Sequence, residues 1–282
     1  MNNKLALVLE GGGFRGLYTA GILHACSENN VTFPNIVAVS MGASNATNFL
    51  ANQSKRNLDV PFTYITDKRY MSYSRLLTKG ELFGMDFIFD EVANKLIPFD
   101  YETFALIKSK LTIVTTDCKS GEPYFVDNKS VEDAYIALEA STSLPFVAKI
   151  VKLHGRLLLD GGISDPIPLE KAIKDGANKL VVILTQPKGY RKTPFKGKWL
   201  MRLKYKVYPK LIKSILERHL VYNNQLALLE KLEAEGKAFV IRPIKKLPIS
   251  RTEKNKYKLK EAFELGHQQG LNIMDDLLDF MQ

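Results

Sequence analysis

Leu5-Ala6-Leu7-Val8-Leu9-Glu10-Gly11-Gly12-Gly13-Phe14-Arg15-Gly16 decides how this chain is read, because five apolar residues run straight into a glycine-rich turn. A short continuous apolar run bounded by glycines predicts a buried strand over Leu5–Leu9, and the residues after the turn predict a helix near 17–27. A second strand-like run at 36–39 ends in Ser40-Met41-Gly42 and leads to a helix near 43–52. This is a βαβα unit of the kind that builds a mostly parallel sheet with helices on both faces, so the fold class is α/β. A right-handed crossover brings the ends of the two strands together.

Taken alone, Gly11-x-Gly13-x-x-Gly16 also spells a dinucleotide-binding turn, whose backbone N–H groups receive a pyrophosphate. Such a site requires a carboxylate at the end of the second strand, and this chain has Ser40 there. A phosphate loop ending in Gly-Lys-Ser/Thr is excluded because Leu17-Tyr18 follows Gly16. A glycine turn beside a serine on a strand-to-helix turn fits an oxyanion-binding loop next to a nucleophile. Ala38-Val39-Ser40-Met41-Gly42 is close to the nucleophile elbow, in which a strained turn exposes the hydroxyl. The bland alternative is that Ser40 caps the following helix.

A serine nucleophile needs a base within hydrogen-bond reach. His24, His154, His219 and His267 are the only histidines, and no motif frames any of them. Asp160 lies at the end of a strand-like run and is followed by Gly161-Gly162, where backbone can approach closely. Its bland alternative is an aspartate in a β-turn.

Further along, strands are expected at 111–116 and 123–126, then a helix over 131–139 capped by Asp127 or Ser130. A hairpin over 147–153 and 156–159, a helix over 169–175 and a central strand at 180–184 complete a first region of residues 1–187. Residues 54–104 show no clean period and are read as short helices and loops covering a site. From residue 188 the composition shifts: residues 188–218 hold eleven basic residues against the single acid Glu217, which accounts for the whole formal charge of +10. Helical spacing over 211–232, a strand at 239–242 and a last amphipathic helix from about 252 form an extension, 188–282, expected to pack on the core.

With 282 residues, 45% hydrophobic and 25% charged, the chain suits one large α/β domain or a domain with an appendage. A basic excess favours an anionic partner, whether lipid headgroups, nucleic acid or acidic protein. Trp199, Tyr205 and Tyr208 within the basic stretch suit peripheral contact with an anionic membrane, with a solvated helix face as the alternative. No nucleic-acid module is recognisable, so no specific nucleic-acid partner is expected. Cys26 and Cys118 form neither a disulfide framework nor a metal cluster, and neither a metal nor a cofactor is expected. The N-terminal apolar run is too short for a signal peptide or an anchor, which points to the cytoplasm.

Three segments in order, Gly11-Gly12-Gly13-Phe14-Arg15-Gly16, Val39-Ser40-Met41-Gly42 and Asp160-Gly161-Gly162, resemble the patatin-like phospholipases. Ala140-Ser141 and Leu144-Pro145-Phe146 match the family's small-residue and proline segment. The likeness covers about residues 5–185 and is nearest to bacterial members with a C-terminal extension. It implies a three-layer α/β/α fold with a mostly parallel central sheet, and hydrolysis of lipid acyl esters by a phospholipase A or lysophospholipase type of reaction. On this resemblance Ser40 is the nucleophile, Asp160 the base, and Gly11, Gly12 and Gly13 supply the oxyanion donors. Arg15 holds the loop or a lipid phosphate, with Gly42, Gly161 and Gly162 in support. The first elbow glycine of the family is Ala38 here, one methyl larger. A non-catalytic lipid-binding protein on the same scaffold, or an esterase or thioesterase for other acyl substrates, are the competing functions.

Overall fold

A computed structural model describes residues 4–282. The expected first unit is present as β1 (Leu5–Leu9), α1 (Gly16–Glu28), β2 (Asn35–Val39) and α2 (Met41–Leu50). Residues 54–104 form α3 (Arg56–Tyr64), α4 (Tyr73–Lys79), a π-helical segment (Phe87–Leu96) and α5 (Tyr101–Ala105). Then come β3 (Lys110–Asp117), β4 (Pro123–Asp127), α6 (Val131–Thr142), β5 (Val151–Leu153), β6 (Arg156–Asp160), α7 (Leu169–Lys174) and β7 (Lys179–Ile183). The extension supplies α8 (Lys198–Lys204), α9 (Pro209–Ala234), β8 (Ala238–Ile241), α10 (Lys256–Asn272) and α11 (Met274–Met281).

One eight-stranded sheet runs in the order β5-β6-β3-β2-β1-β7-β8, with β4 also paired to β3. Strands β3, β2, β1, β7 and β8 are mutually parallel, and the β4 and β5-β6 pairings are antiparallel. Alternation along the central strands sorts side chains into two cores. Leu5, Leu7, Leu9, Ile36, Ala38, Val181 and Ile183 face a layer containing α1, α2, α6 and α10. Ala6, Val8, Val37, Val39, Leu180 and Val182 face α7 and α9. The extension therefore joins all three layers, since β8 lengthens the sheet, α9 covers one face and α10 packs on the other.

Helix α10 lies unusually close to α1. A Cβ on Gly21 would fall 2.0 Å from the Phe263 carbonyl oxygen, and one on Gly266 would fall 2.0 Å from that of Tyr18. Only glycine admits such backbone-to-backbone approach. Caps follow the chemistry of helix starts, in which a side-chain oxygen satisfies an orphan N–H: Ser130 accepts from Asp133 N at 3.0 Å, and Asn255 accepts from Tyr257 N at 3.0 Å.

Two expectations about extent are corrected. The strand expected over 147–153 is only Val151–Leu153, because residues 144–147 turn and Phe146 takes φ 70°. The last helix begins at Lys256 behind its Asn255 cap and breaks at Ile273 into α10 and α11.

Candidate active site

Strand β2 delivers Ser40 onto a turn with φ 56° and ψ −128°, a left-handed conformation that a non-glycine residue adopts only under constraint. Its side chain makes no cap bond to α2. Ser40 Oγ instead donates to Asp160 Oδ2 at 2.7 Å, so the capping alternative fails. Ser40 N donates to Ser141 Oγ at 2.8 Å, and Ser141 Oγ donates to the Val114 carbonyl at 2.6 Å, which pins the elbow to β3. At Gly42 a Cβ would lie 2.8 Å from the carbonyl oxygens of both Leu9 and Glu10. Ala38 is fully buried, its methyl packed in the core on the α1 side of the sheet.

Asp160 reaches Ser40 because two strands share one edge of β3. Residues 110–114 pair with β2, 115–117 with β6 and 112–116 with β4. A strand has two edges, and β4 overlaps both of the others, so β2 and β6 lie end to end along the opposite edge. The C-terminus of β6 thus meets the C-terminus of β2. Asp160 Oδ1 accepts from Gly162 N at 2.7 Å, and Asp160 N donates to the Ser143 carbonyl at 2.9 Å. Asp160 is 2% exposed and Ser40 7%. Burial pushes the Asp160 carboxyl above the usual aspartate range, opposed by the Ser40 hydrogen bond and the Arg218 charge. A Cβ on Gly161 would fall 2.1 Å from the Val114 carbonyl oxygen, so only glycine fits there.

The glycine loop passes directly over the serine. A Cβ on Gly11 would lie 2.8 Å from Ser40 Cβ, one on Gly12 2.9 Å from Thr185 Oγ1, and one on Gly13, at φ 56°, 2.6 Å from the Arg251 carbonyl oxygen. Among the described residues no acceptor takes the N–H of Gly11, Gly12 or Gly13, whereas Phe14 N donates to the Arg251 carbonyl at 3.2 Å. Glu10 anchors the loop from below: its buried carboxylate accepts from Thr185 N at 2.6 Å and from the Tyr222 hydroxyl of α9 at 2.8 Å.

Besides Arg15, cations that the motifs did not single out surround this loop. Arg218 of α9 donates through Nε to the Gly162 carbonyl, and burial pushes its guanidinium down to about 10, helped by Arg251 and opposed by Asp160. Lys192 Nζ lies 5.2 Å from the centre of the Tyr222 ring, and burial with the charges of Arg218 and Arg251 pushes it down to about 7. Arg15 has a buried Nε without a hydrogen-bond partner among the described residues, and burial followed by Arg251 lowers its guanidinium. The excess of cations over 188–218 was visible in the sequence, but nothing there separates Lys192 and Arg218 from their solvent-facing neighbours.

On the other side of Ser40 an apolar cavity of about 160 Å³ opens between α2, α3, the π-helical segment and α6. Val60, Tyr70, Phe83, Ile88, Phe104 and Leu138 line it, with Ser40, Gly13 and Arg251 at one end. Residues 54–104 therefore form about half of its wall.

The four histidines make their contacts away from the Ser40–Asp160 pair. His154 sits in the β5-β6 turn and bonds Tyr124 and Asp133. His219 bonds the Leu216 carbonyl. His24 and Glu28 of α1 meet His267 of α10, with donor atoms within 4.8 Å of one another, a grouping that could hold a metal ion. His267 Nε2 and Glu28 Oε2 are 2.6 Å apart, so an ion pair accounts for the same contact. Cys26 and Cys118 are both buried free thiols.

Tyr205 is buried in a third core cluster with Met201, Leu211 and Ile215, which withdraws it from a membrane contact, and the partly buried Tyr208 packs against that cluster. Trp199 and Leu203 of α8 are each 71% exposed, and Val207 is exposed beside them. No helix among the described residues is long and apolar enough to cross a membrane.

The chain is 30% identical over 274 residues, 93% of its length and 75% of the relative's, to the uncharacterized protein YjjU of Escherichia coli K12. It is 27% identical over 173 residues to the uncharacterized NTE family protein Rv1063c of Mycobacterium tuberculosis H37Rv, a match covering 59% of this chain and 44% of that one. The crystal structure of VipD from Legionella pneumophila aligns with a TM-score of 0.47 at 12% identity, over 97% of this chain and 67% of that chain. Residues 208–282 match a domain of unknown function, DUF6363. Residues 7–173 match the patatin-like phospholipase model, and the chain belongs to that family of lipid hydrolases.

Proposed function

We propose that the chain is a serine acyl hydrolase of lipids, of the phospholipase A or lysophospholipase type, working through Ser40 and Asp160. The observation that carries this is the 2.7 Å bond from Ser40 Oγ to Asp160 Oδ2 at the mouth of an apolar cavity. The acyl chain enters the cavity and presents its ester carbonyl to Ser40. Oγ attacks the carbonyl carbon as its proton passes to Asp160 Oδ2, and the tetrahedral oxyanion is received by the N–H groups of Gly11, Gly12 and Gly13. Collapse expels the alcohol, which takes the proton back from Asp160. Water then attacks the acyl-enzyme, giving its proton to Asp160, and the fatty acid leaves as Ser40 is reprotonated. A carboxylate pushed upward by burial is a stronger base than an ordinary aspartate, which suits this duty.

Peripheral membrane contact through α8 accompanies this reading, carried by the exposed Trp199 and Leu203 among basic residues. The test is labelling by a fluorophosphonate probe, followed by hydrolysis of a short-chain p-nitrophenyl ester, in wild type, Ser40→Ala and Asp160→Asn. Labelling and turnover lost in the variants support the hydrolase. Absence of both in folded wild type turns the reading toward a lipid-binding protein.

A further inference from the structure

Arg15, Lys192, Arg218 and Arg251 converge on the loop and the base, and among the described residues none of them forms an ion pair with a carboxylate. Each is held by the machinery itself. Arg15 belongs to the turn after Gly13, and the backbone of Arg251 packs on Gly13. Arg218 bonds the Gly162 carbonyl beside Asp160. Lys192 lies over Tyr222, whose hydroxyl binds Glu10.

Two carboxylates share this region, and both are committed: Glu10 to Thr185 and Tyr222, Asp160 to Ser40 and Gly162. Three guanidiniums and Lys192, whose ammonium is pushed down to about 7, stand against two carboxylates and leave a positive excess in a half-buried place. Crowding like charges away from water is unfavourable unless a further anion completes the set. The depressed Lys192 and Arg218 register that strain. A phosphate monoester, dianionic near neutral pH and rich in acceptor oxygens, matches both the charge and the donors.

We propose that these four cations form a phosphate subsite, so that the chain prefers acyl esters of a glycerol that also carries a phosphate monoester. The inference rests on the hydrolase reading above. Arg251 lines the apolar cavity together with Ser40 and Gly13, whereas Arg15, Lys192 and Arg218 do not line it and are left for the part of the ester outside the cavity. Three of the four come from beyond residue 187, so the extension selects the headgroup while the segment before it cuts the ester.

The test compares kcat/KM for lysophosphatidate with that for the monoacylglycerol of the same chain length, in wild type and in Lys192→Gln/Arg251→Gln. Wild type is expected to favour lysophosphatidate at least about tenfold, and that ratio is expected to fall toward one in the variant, whatever happens to overall activity. Lys192→Gln alone, a loop substitution, gives the same readout if the double variant does not fold. Inorganic phosphate is expected to compete with lysophosphatidate in wild type and less so in the variant. Equal turnover of the two lipids by wild type overturns the subsite while leaving the hydrolase standing. Inhibition by inorganic phosphate without any lipid preference means that the cations take free phosphate, and it overturns the headgroup proposal. Turnover of neither lipid, nor of the p-nitrophenyl ester, sinks the hydrolase reading and the preference with it.

Discussion

Ser40 spends its backbone on a left-handed turn so that its hydroxyl points at Asp160 and not at the start of α2. Replacing it with alanine is expected to abolish ester turnover and probe labelling without unfolding the chain. Asp160→Asn is expected to do the same to turnover, yet with a melting temperature at or above that of wild type at neutral pH. The sign follows from the raised carboxyl. The native state holds that proton more tightly than the unfolded chain, so ionising Asp160 costs stability as pH rises through the interval between the two values. Asparagine removes that cost. For catalysis the sign is opposite: kcat/KM on a neutral ester is expected to fall with acid, bending at a pH above the ordinary aspartate value, as a pH-rate profile will record. Gly161→Ala is expected to lose about 1–3 kcal/mol in urea denaturation, toward the upper end, because its methyl meets backbone and not a movable side chain. At this scale the sequence singled out Ser40, Asp160 and the glycines, each from its own short segment, and the fold brings Ser40 and Asp160 to 2.7 Å. The sequence was silent on Arg218, Arg251 and Lys192, which reach the loop only through the tertiary fold.

Among the elements, β3 acts as the gauge of the site, because β2 and β6 abut along one of its edges. The hairpin that carries β6 was visible in the sequence, but its pairing partner was not, since antiparallel pairing to a distant strand leaves no mark in either segment. Residues 54–104 lack a period for a related reason. Their side chains face a cavity on several sides, so no single helical stripe is selected. The contact of α1 with α10 did leave a trace, Gly266-x-x-x-Gly270 facing Gly21 and Ala25, a small-residue pattern that allows helices to approach closely. Gly266→Ala is expected to cost about 1–3 kcal/mol of stability by forcing these helices apart, measurable in the same urea titration. Helix α8 and the turn that follows it yield a separate expectation. Reversing Arg202 and Lys206 to glutamate is predicted to weaken sedimentation with phosphatidylglycerol vesicles roughly thirtyfold, taking about 1 kcal/mol for each cation lost at a lipid surface. Unchanged sedimentation removes the membrane role.

For the molecule as a whole, composition announced the basic extension but not its integration. Strand β8 pairs with β7, α9 buries Tyr222 against Glu10, and α10 lies along α1. Ending the chain at residue 187 is therefore expected to expose both faces of the sheet and yield insoluble or unfolded protein, as circular dichroism and solubility will report. The tandem seating of β2 and β6 on β3 carries a consequence for how activity is born. Ser40 and Asp160 lie 120 positions apart in the chain, and no local segment contains both. They meet only when β2 and β6 have both paired with β3, end to end on one edge. Ester turnover is therefore expected to return in refolding no earlier than the pairing of both strands with β3, so that activity reports assembly of this edge.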